Sequence, residues 1–337
     1  MKYGIKDIAR EANVSLTTVS LVLNNKPSRI SEAKKKEIKL IAEKNNYRPN
    51  SAAVTLSTQI SYNIALIVPD IANPFFAKLI KVIIKKLNEQ KYNVLIFDSN
   101  NSYNDEKNAL KSSISTGVDG VLLIPSNELF SIKTTEFDKL FSDIDKPLVL
   151  LNAYTDKKIS YVNFDNIKGA ELATQEVINH GHTQIAFIKG HNHFVNAIER
   201  YQGYKNVLLK NKIKFDKNLV FSGDYSIQSG FDIAPSILNN SKITAIVSSN
   251  DLMLFGLIKW AKKNRINVSD NISMVGFDNN PYDEILESPL TTIDQDTEKM
   301  ATESIKILLN KINTPSSNIE HTIIDPLLIQ RESVHNI

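Results

Sequence analysis

Along most of the chain, short apolar runs closed by Pro, Asn, Asp or Ser alternate with longer segments whose apolar residues recur at helical spacing. "YNIALIVPD", "YNVLIFDSN", "DGVLLIPSN" and "KPLVLLNAY" form one series after residue 62, and "QIAFIKGH", "DKNLVFSGD", "ITAIVSSND" and "ISMVGFDNN" form a second. Near-continuous apolar runs separated by amphipathic segments predict strands of parallel sheets covered by helices on both faces. Two series predict two lobes. In such folds a ligand lies beyond the carboxyl ends of the strands, so the polar residues just after each run are the candidates for a site.

The first fifty residues follow another pattern. "IKDIAREANV" places Ile5, Ile8, Ala9 and Ala12 on one stripe, Ser15 is placed to cap "LTTVSLVLN", and Ser31 to cap "EAKKKEIKLIAEKN" with its stripe of Ile38, Ile41 and Ala42. Three short helices can share one small core. The connection Asn13-Val14-Ser15 is as short as a helix-turn-helix requires, which makes "SLTTVSLVLN" the recognition helix. Wound as a helix, it puts Val19, Val22 and Leu23 on the core side and Thr17, Ser20, Leu21 and Asn24 on the outer side. Leu21 is therefore expected to be exposed, with base edges of the major groove as its partner.

Charge sharpens this division. The net charge of the chain is +3, yet residues 1–60 hold eleven Lys and Arg against five Asp and Glu, leaving a mildly acidic remainder. A basic head on an acidic body points to nucleic acid at one end only. Composition then removes other classes. There is no cysteine, so disulfides, thiol catalysis and thiolate metal sites are excluded, and the six histidines show no metal-type spacing beyond "GHNHF" around His191, which reads as a loop. No apolar run approaches the length of about 20 that spans a bilayer, and the N-terminus lacks a signal-peptide pattern, so a cytoplasmic address is expected. No GxGxxG or GxxxxGK[ST] follows a strand and no paired carboxylates stand out, so no catalytic residue, metal or cofactor is assigned.

"IKDIAREANVSLTTVSLVLNN", followed by "ISEAKKKEIKLIAEKNNYRPNSAAVTL", resembles the DNA-binding head and hinge of the lactose-repressor (LacI/GalR) family of transcriptional regulators. "PDIANPFFAKL", "GVDGVLLIP", "HGHTQIAFIKG", "ERYQGYKNVL", "SSNDLMLFGL", "VGFDNNPYDEILESPLTTIDQD" and "LLIQRES" extend the resemblance nearly end to end. It implies an α/β architecture: an N-terminal three-helix helix-turn-helix head (1–48), a hinge segment (49–61), and a periplasmic-binding-protein-like core of two doubly wound parallel-sheet lobes (62–337). Lobe 1 is placed at about 62–160 and 291–318, and lobe 2 at about 161–290 and 319–333.

By the same resemblance, Leu16, Thr17 and Leu21 read bases, while Ser15, Thr18, Ser20, Asn24 and Tyr47 hold phosphates and Asn50 belongs to the DNA-binding segment. In the hinge, Leu56 matches a leucine inserted into the minor groove and Ala53 shares its face; such a wedge unstacks a base step and kinks the duplex. Many members carry Arg at Leu21 and Thr at Gly4. A leucine can pack on a thymine methyl but cannot donate to guanine, so base preference should move away from guanine there. In the body the resemblance gives Asn73, Phe75, Phe76, Asn152, Arg200, Tyr225, Asn250 and Asp278 as effector-binding. Amide, carboxylate and guanidinium groups with aromatic rings suit a polyol. The family commonly has Asp-Arg where this chain has Asn152-Ala153, so one charged anchor is missing. The implied partners are double-stranded pseudo-palindromic operator DNA, a small-molecule effector such as a sugar, and a second copy of the chain, with pairing of dimers into tetramers left open.

Three other functions compete. A catabolite-control-type regulator would answer to a phosphorylated carrier protein. A solute-binding protein would share the body but has no use for a basic helix-turn-helix, and an enzyme would need a motif that is absent.

Overall fold

The computed structural model describes residues 3–23, 27–47, 60–132, 134–155, 157–191 and 194–337. The chain divides into two units, residues 1–61 and 62–337, each with its own core.

In the first unit, α1 (Ile5–Glu11), α2 (Leu16–Leu23) and α3 (Glu32–Lys44) enclose wholly buried Ile8, Val19 and Ile38, with Ala12, Val22, Ile41 and Ala42 around them. The polar punctuation works as expected. Ser15 Oγ accepts from Thr18 N at 3.1 Å and Ser31 Oγ from Lys34 N at 3.3 Å, satisfying backbone donors that a helix start leaves open. Asn13, with φ of 50°, supplies the left-handed residue that ends α1, and Val14 N then donates to Ala9 O.

The second unit starts with β1 (Asn63–Val68), α4 (Pro74–Glu89), β2 (Asn93–Asp98), α5 (Tyr103–Ser115), β3 (Gly120–Leu123), α6 (Thr134–Ser142), β4 (Leu148–Leu151) and β5 (Ser160–Phe164). It continues with α7 (Asn166–Asn179), β6 (Ile185–Lys189), α8 (Val195–Lys210), β7 (Val220–Ser222), α9 (Ile227–Leu238), β8 (Ala245–Ser248), α10 (Asp251–Lys263), β9 (Ser273–Phe277) and β10 (Thr291–Asp294). It closes with α11 (Thr297–Asn313), β11 (His321–Ile324) and β12 (Leu327–Ile329). The strands form two six-stranded sheets, β11-β5-β4-β3-β1-β2 and β12-β10-β9-β8-β6-β7, parallel throughout except where β12 runs antiparallel to β10. Both are doubly wound. Strand alternation explains the layers: Ile64, Leu66 and Val68 of β1 face α4 and α11, whereas Ala65 and Ile67 face α5 and α6. In the second sheet Ala186 and Ile188 of β6 face α9 and α10, and Ile185 and Phe187 face α7 and α8.

The lobe limits expected from the sequence need correction. β5 completes the first sheet, so the first crossing falls at about residue 165; β10 lies beside β9 in the second sheet, not in lobe 1; β11 belongs to the first sheet, not to lobe 2. The chain thus crosses three times, near residues 165, 295 and 325. β5 and β10 escape the apolar pattern because their buried positions include the hydroxyls of Ser160, Thr291 and Thr292, and β11 because only Ile324 in it is buried. Thr291 Oγ1 accepts from Arg331 N and Thr292 Oγ1 donates to Asp251 Oδ1 at 2.7 Å, so both residues are buried with their polar atoms satisfied.

Beneath β10 lies a buried pair of carboxyl groups. Asp251 accepts from Thr292 and from Asn280 N, and faces Asp283, whose other charged neighbour is the Arg331 guanidinium at 4.0 Å. Burial pushes both carboxyls up, Asp283 to about 7 against the pull of Arg331, and the charge of Asp283 raises Asp251 further. The folded protein therefore holds a proton that the unfolded chain releases near 3.8, so stability should fall as pH rises from about 4 to about 7. Replacing Asp283 with Asn should make that slope shallower, leaving the part that Glu106, raised to about 7, and Asp278, raised to about 8, contribute. Urea midpoints measured between about pH 5 and about pH 8 for both proteins check it, and parallel curves would refute it.

Candidate functional site

Two sites are built from the chain, one in each unit. In the first, Ser15, Leu16 and Thr17 are exposed at the start of α2, while Thr18, Ser20 and Leu21 are half-buried. Leu21 is thus half-buried where the helical pattern predicts exposure. Ser15 Oγ, beyond capping α2, lies 2.9 Å from Thr18 Oγ1. Leu16 is 44% exposed and borders a shallow groove with Lys6, Arg10 and Asn13, exposed residues that the sequence reading did not single out. Tyr47 packs against the head core, and its burial pushes the phenol up. Asn24, Asn50, Ala53 and Leu56 lie outside the described residues.

In the second unit, a cavity of about 490 Å3 opens between the carboxyl ends of the two sheets' strands. The strand order 2-1-3-4-5 of each lobe puts its switch point here, between β1 and β3 in one sheet and β6 and β8 in the other. All eight residues expected in the effector site line it: Asn73, Phe75, Phe76, Asn152, Arg200, Tyr225, Asn250 and Asp278. They differ in how free they are. Asn73 Oδ1 caps α4 by accepting from Phe75 N, and Asn250 caps α10 by accepting from Met253 N while its Nδ2 donates to Tyr225 O. Phe75 is 6% exposed and packs edge-on against Phe76 and Phe164, so it serves the core as much as the cavity.

Tyr225 is held on several sides. Its ring stacks on Phe194 at 5.8 Å and its hydroxyl donates to Asn196 Oδ1 at 3.1 Å, with burial pushing the phenol well above its ordinary range. A Cβ on Gly190 would come within 2.5 Å of the ring, so only glycine lets the ring take this place. Tyr225, Asn152 and Asp278 also have φ values of 71°, 54° and 112°. Left-handed backbone at non-glycine residues costs about 1–3 kcal/mol each and persists where the surroundings over-determine it, here at loops aimed into the cavity.

Arg200 forms the floor. It is 3% exposed, and its Nε donates to Asn166 Oδ1 at 2.9 Å, its Nη1 to Ser249 O, and its Nη2 to Gln295 Oε1 at 3.3 Å. The guanidinium lies 3.6 Å from the Phe277 ring centroid and 3.9 Å from Asp278 Oδ1. Burial pushes Asp278 up, to about 8, against the pull of Arg200 and of the Gln295 amide that donates to it. Glu199 accepts from Asn166 Nδ2 at 2.9 Å, and burial pushes its carboxyl up as well. Asn163, Asn166, Glu199 and Gln295 were not foreseen. Asn163 carries a signal, since a polar residue interrupts a strand whose neighbours are buried; Asn166 and Gln295 follow the ends of β5 and β10, which the apolar pattern does not mark, and Glu199 sits within α8 beside Arg200. Among the described residues no group of three or more His, Asp or Glu could hold a metal, and no helix is long and apolar enough to cross a membrane.

Comparison with known proteins covers both units. Residues 4–50 match the model for bacterial regulatory proteins of the lacI family, and residues 174–334 match a periplasmic binding protein-like domain. The HTH-type transcriptional regulator RegA of Clostridium saccharobutylicum is 31% identical over 336 residues, 99% of each chain. Catabolite control protein A of Priestia megaterium is 29% identical, over 95% of this chain and 96% of its own. Among solved structures, the complex of the transcriptional regulator CelR with cellobiose superposes with a TM-score of 0.71 at 27% identity, covering 98% of this chain and 99% of that one.

The contacts of Arg200 carry a measurable consequence. Arg200→Ala leaves buried acceptors on Asn166, Ser249 and Gln295 without their donor, so it should lower stability by at least about 1–3 kcal/mol in urea denaturation. Arg200→Lys restores the charge but not the fork and should recover only part of the loss.

Proposed function

As a member of the lacI family of bacterial regulatory proteins, the chain is a sequence-specific DNA-binding transcriptional repressor, and we propose that a sugar held in the interlobe cavity sets its affinity for operator DNA. The observation that carries this is the Arg200 network. Arg200 bonds Asn166 at the first crossing between the lobes and Gln295 at the second, so the floor of the cavity and two of the three connections on which the lobes turn share hydrogen bonds. A ligand shifts such a conformational balance only through its different affinity for the two arrangements, and contact with this network supplies that difference.

The division into a head of residues 1–48, a hinge of 49–61 and a core from 62 suits this role. The head reads one half-site, and a homodimer in the cytoplasm reads the two halves of a near-palindrome. Thr17, Leu16 and Leu21 are the base-reading positions and Ser15, Thr18, Ser20 and Tyr47 the phosphate contacts in this reading, with Asn24, Asn50, Ala53 and Leu56 continuing it into the hinge. A phosphorylated carrier protein is the second reading, supported by the likeness to catabolite control protein A. The built, polar cavity favours the small molecule. The relatives it matches are regulators, and an enzymatic role has no support in the site.

Operator selected from random duplexes, followed by fluorescence anisotropy with and without sugars such as cellobiose, tests the proposal. Ligand and operator should change each other's affinity by the same factor, about 5–150-fold. Unchanged operator affinity with every sugar, and a response to phosphorylated carrier alone, would select the second reading.

Leu21→Arg should fold, because a half-buried leucine leaves room for an arginine stem with its head in water. Its selected operators should move toward guanine at one step of each half-site, by about 1–3 kcal/mol. An unchanged consensus would remove Leu21 from the base-reading set.

A further inference from the structure

The cavity is larger than one sugar ring needs. At about 30 Å3 for each of the roughly six waters it displaces, a hexose takes up about 180 Å3, whereas the cavity measures about 490 Å3. A second ring therefore has room. The lining is also of two kinds. At the floor, Asn166, Arg200, Asn250 and Gln295 are at most 3% exposed and are held by hydrogen bonds to one another or to backbone. At the mouth stands Tyr154, 44% exposed.

Tyr154 is placed there by its neighbours in sequence. β4 ends at Leu151, Asn152 turns the chain with φ of 54°, and Ala153 is buried among the aliphatics of the first lobe. The ring of Tyr154 belongs to neither core cluster of that lobe. Burial and then the charge of Glu199 push its phenol up, so the Glu199 carboxylate, on α8 of the second lobe, is near enough to be felt. Asn166 donates to Glu199 Oε2, and Oε1 has no partner among the described residues. An exposed phenol ring is a broad surface with two side-chain torsions, and it covers the apolar face of a pyranose at little entropic cost, while a carboxylate accepts from the ring's hydroxyls. We propose, resting on the sugar reading above, that the effector is a sugar of two or more rings: one ring sits on the Arg200 floor, and the next lies on Tyr154 with a hydroxyl donating to Glu199. Tyr154 belongs to the first lobe and Glu199 to the second, so the outer ring touches both and bears on their closure in a way that a single ring on the floor does not.

The test uses the full chain and isothermal titration, with glucose beside maltose and cellobiose, galactose beside lactose, and fructose beside sucrose. The expected result is that a two-ring sugar binds at least about tenfold more tightly than either of its single-ring units. Tyr154→Ala should weaken that sugar about tenfold and change the affinity of its single-ring units by less than about twofold. Tyr154→Phe, which keeps the ring, should stay near wild type.

A single-ring sugar that binds as tightly as its two-ring partner overturns the inference and leaves the sugar reading standing. Wild-type affinity in Tyr154→Ala removes Tyr154 from the site. Equal loss of single-ring and two-ring sugars in that variant makes its effect structural, and a loss in Tyr154→Phe as large as in Tyr154→Ala assigns it to the hydroxyl; either result overturns the stacked outer ring. Silence from the whole panel, in protein that still binds operator, overturns the sugar reading and this inference with it.

Discussion

A guanidinium shut away from water persists only where acceptors converge on it, and at Arg200 they converge from distant parts of the chain. Asn166 comes from the end of β5, Ser249 from the end of β8, Gln295 from the end of β10, and the Phe277 ring from β9. None of these could be placed without the second sheet being closed in register and the chain having crossed between lobes twice. The demand for satisfied buried charge thus binds sheet order, crossings and cavity floor into one arrangement. The strained backbone of Asp278 belongs to it, because its carboxyl reaches Gln295 only from that turn.

The crossings are held by more than Arg200. Asp165 N donates to Ile324 O, Lys168 pairs with Asp325 at 2.6 Å, and Lys78 of the first lobe pairs with Asp294 at 3.5 Å. These last two are exposed or half-exposed ion pairs, each weak on its own in water. The resulting contrast is mechanical: two stiff lobes with apolar cores, joined by strands whose contacts are polar and exchangeable. Small displacements there cost little, whereas deforming either core would break close packing.

Much of this was legible from residue pattern alone. Eight strands announced themselves as aliphatic runs, and the caps Ser15 and Ser31 fell where helix starts require them. The eight candidates that the family resemblance singles out line one cavity; five of them stand just after strands, whose ends gather at the switch point of a doubly wound lobe, while Phe75, Phe76 and Arg200 reach it from helices. Four strands stayed hidden. β10 buries Thr291 and Thr292, and β11 is an edge strand with His321 and Ile323 largely exposed, so neither presents an aliphatic run. The same gap hid Asn166 and Gln295, whose significance depends on which sheet the preceding strand joins. Leu21 was misjudged for a local reason: on an eight-residue helix packed against two others, little of the circumference is free of neighbours.

The last two strands return to different sheets, β11 to the first and β12 to the second, so neither lobe is a continuous stretch of sequence. A segment ending at residue 295 would contain no α11 to cover β1 and no β11 to flank β5, and the second sheet would lack β12. The core therefore offers no internal breakpoint for gene fusion or recombination. A new specificity must arise by replacement at the strand ends, whereas the small head, whose hydrophobic core is drawn from its own helices, can be exchanged as a block.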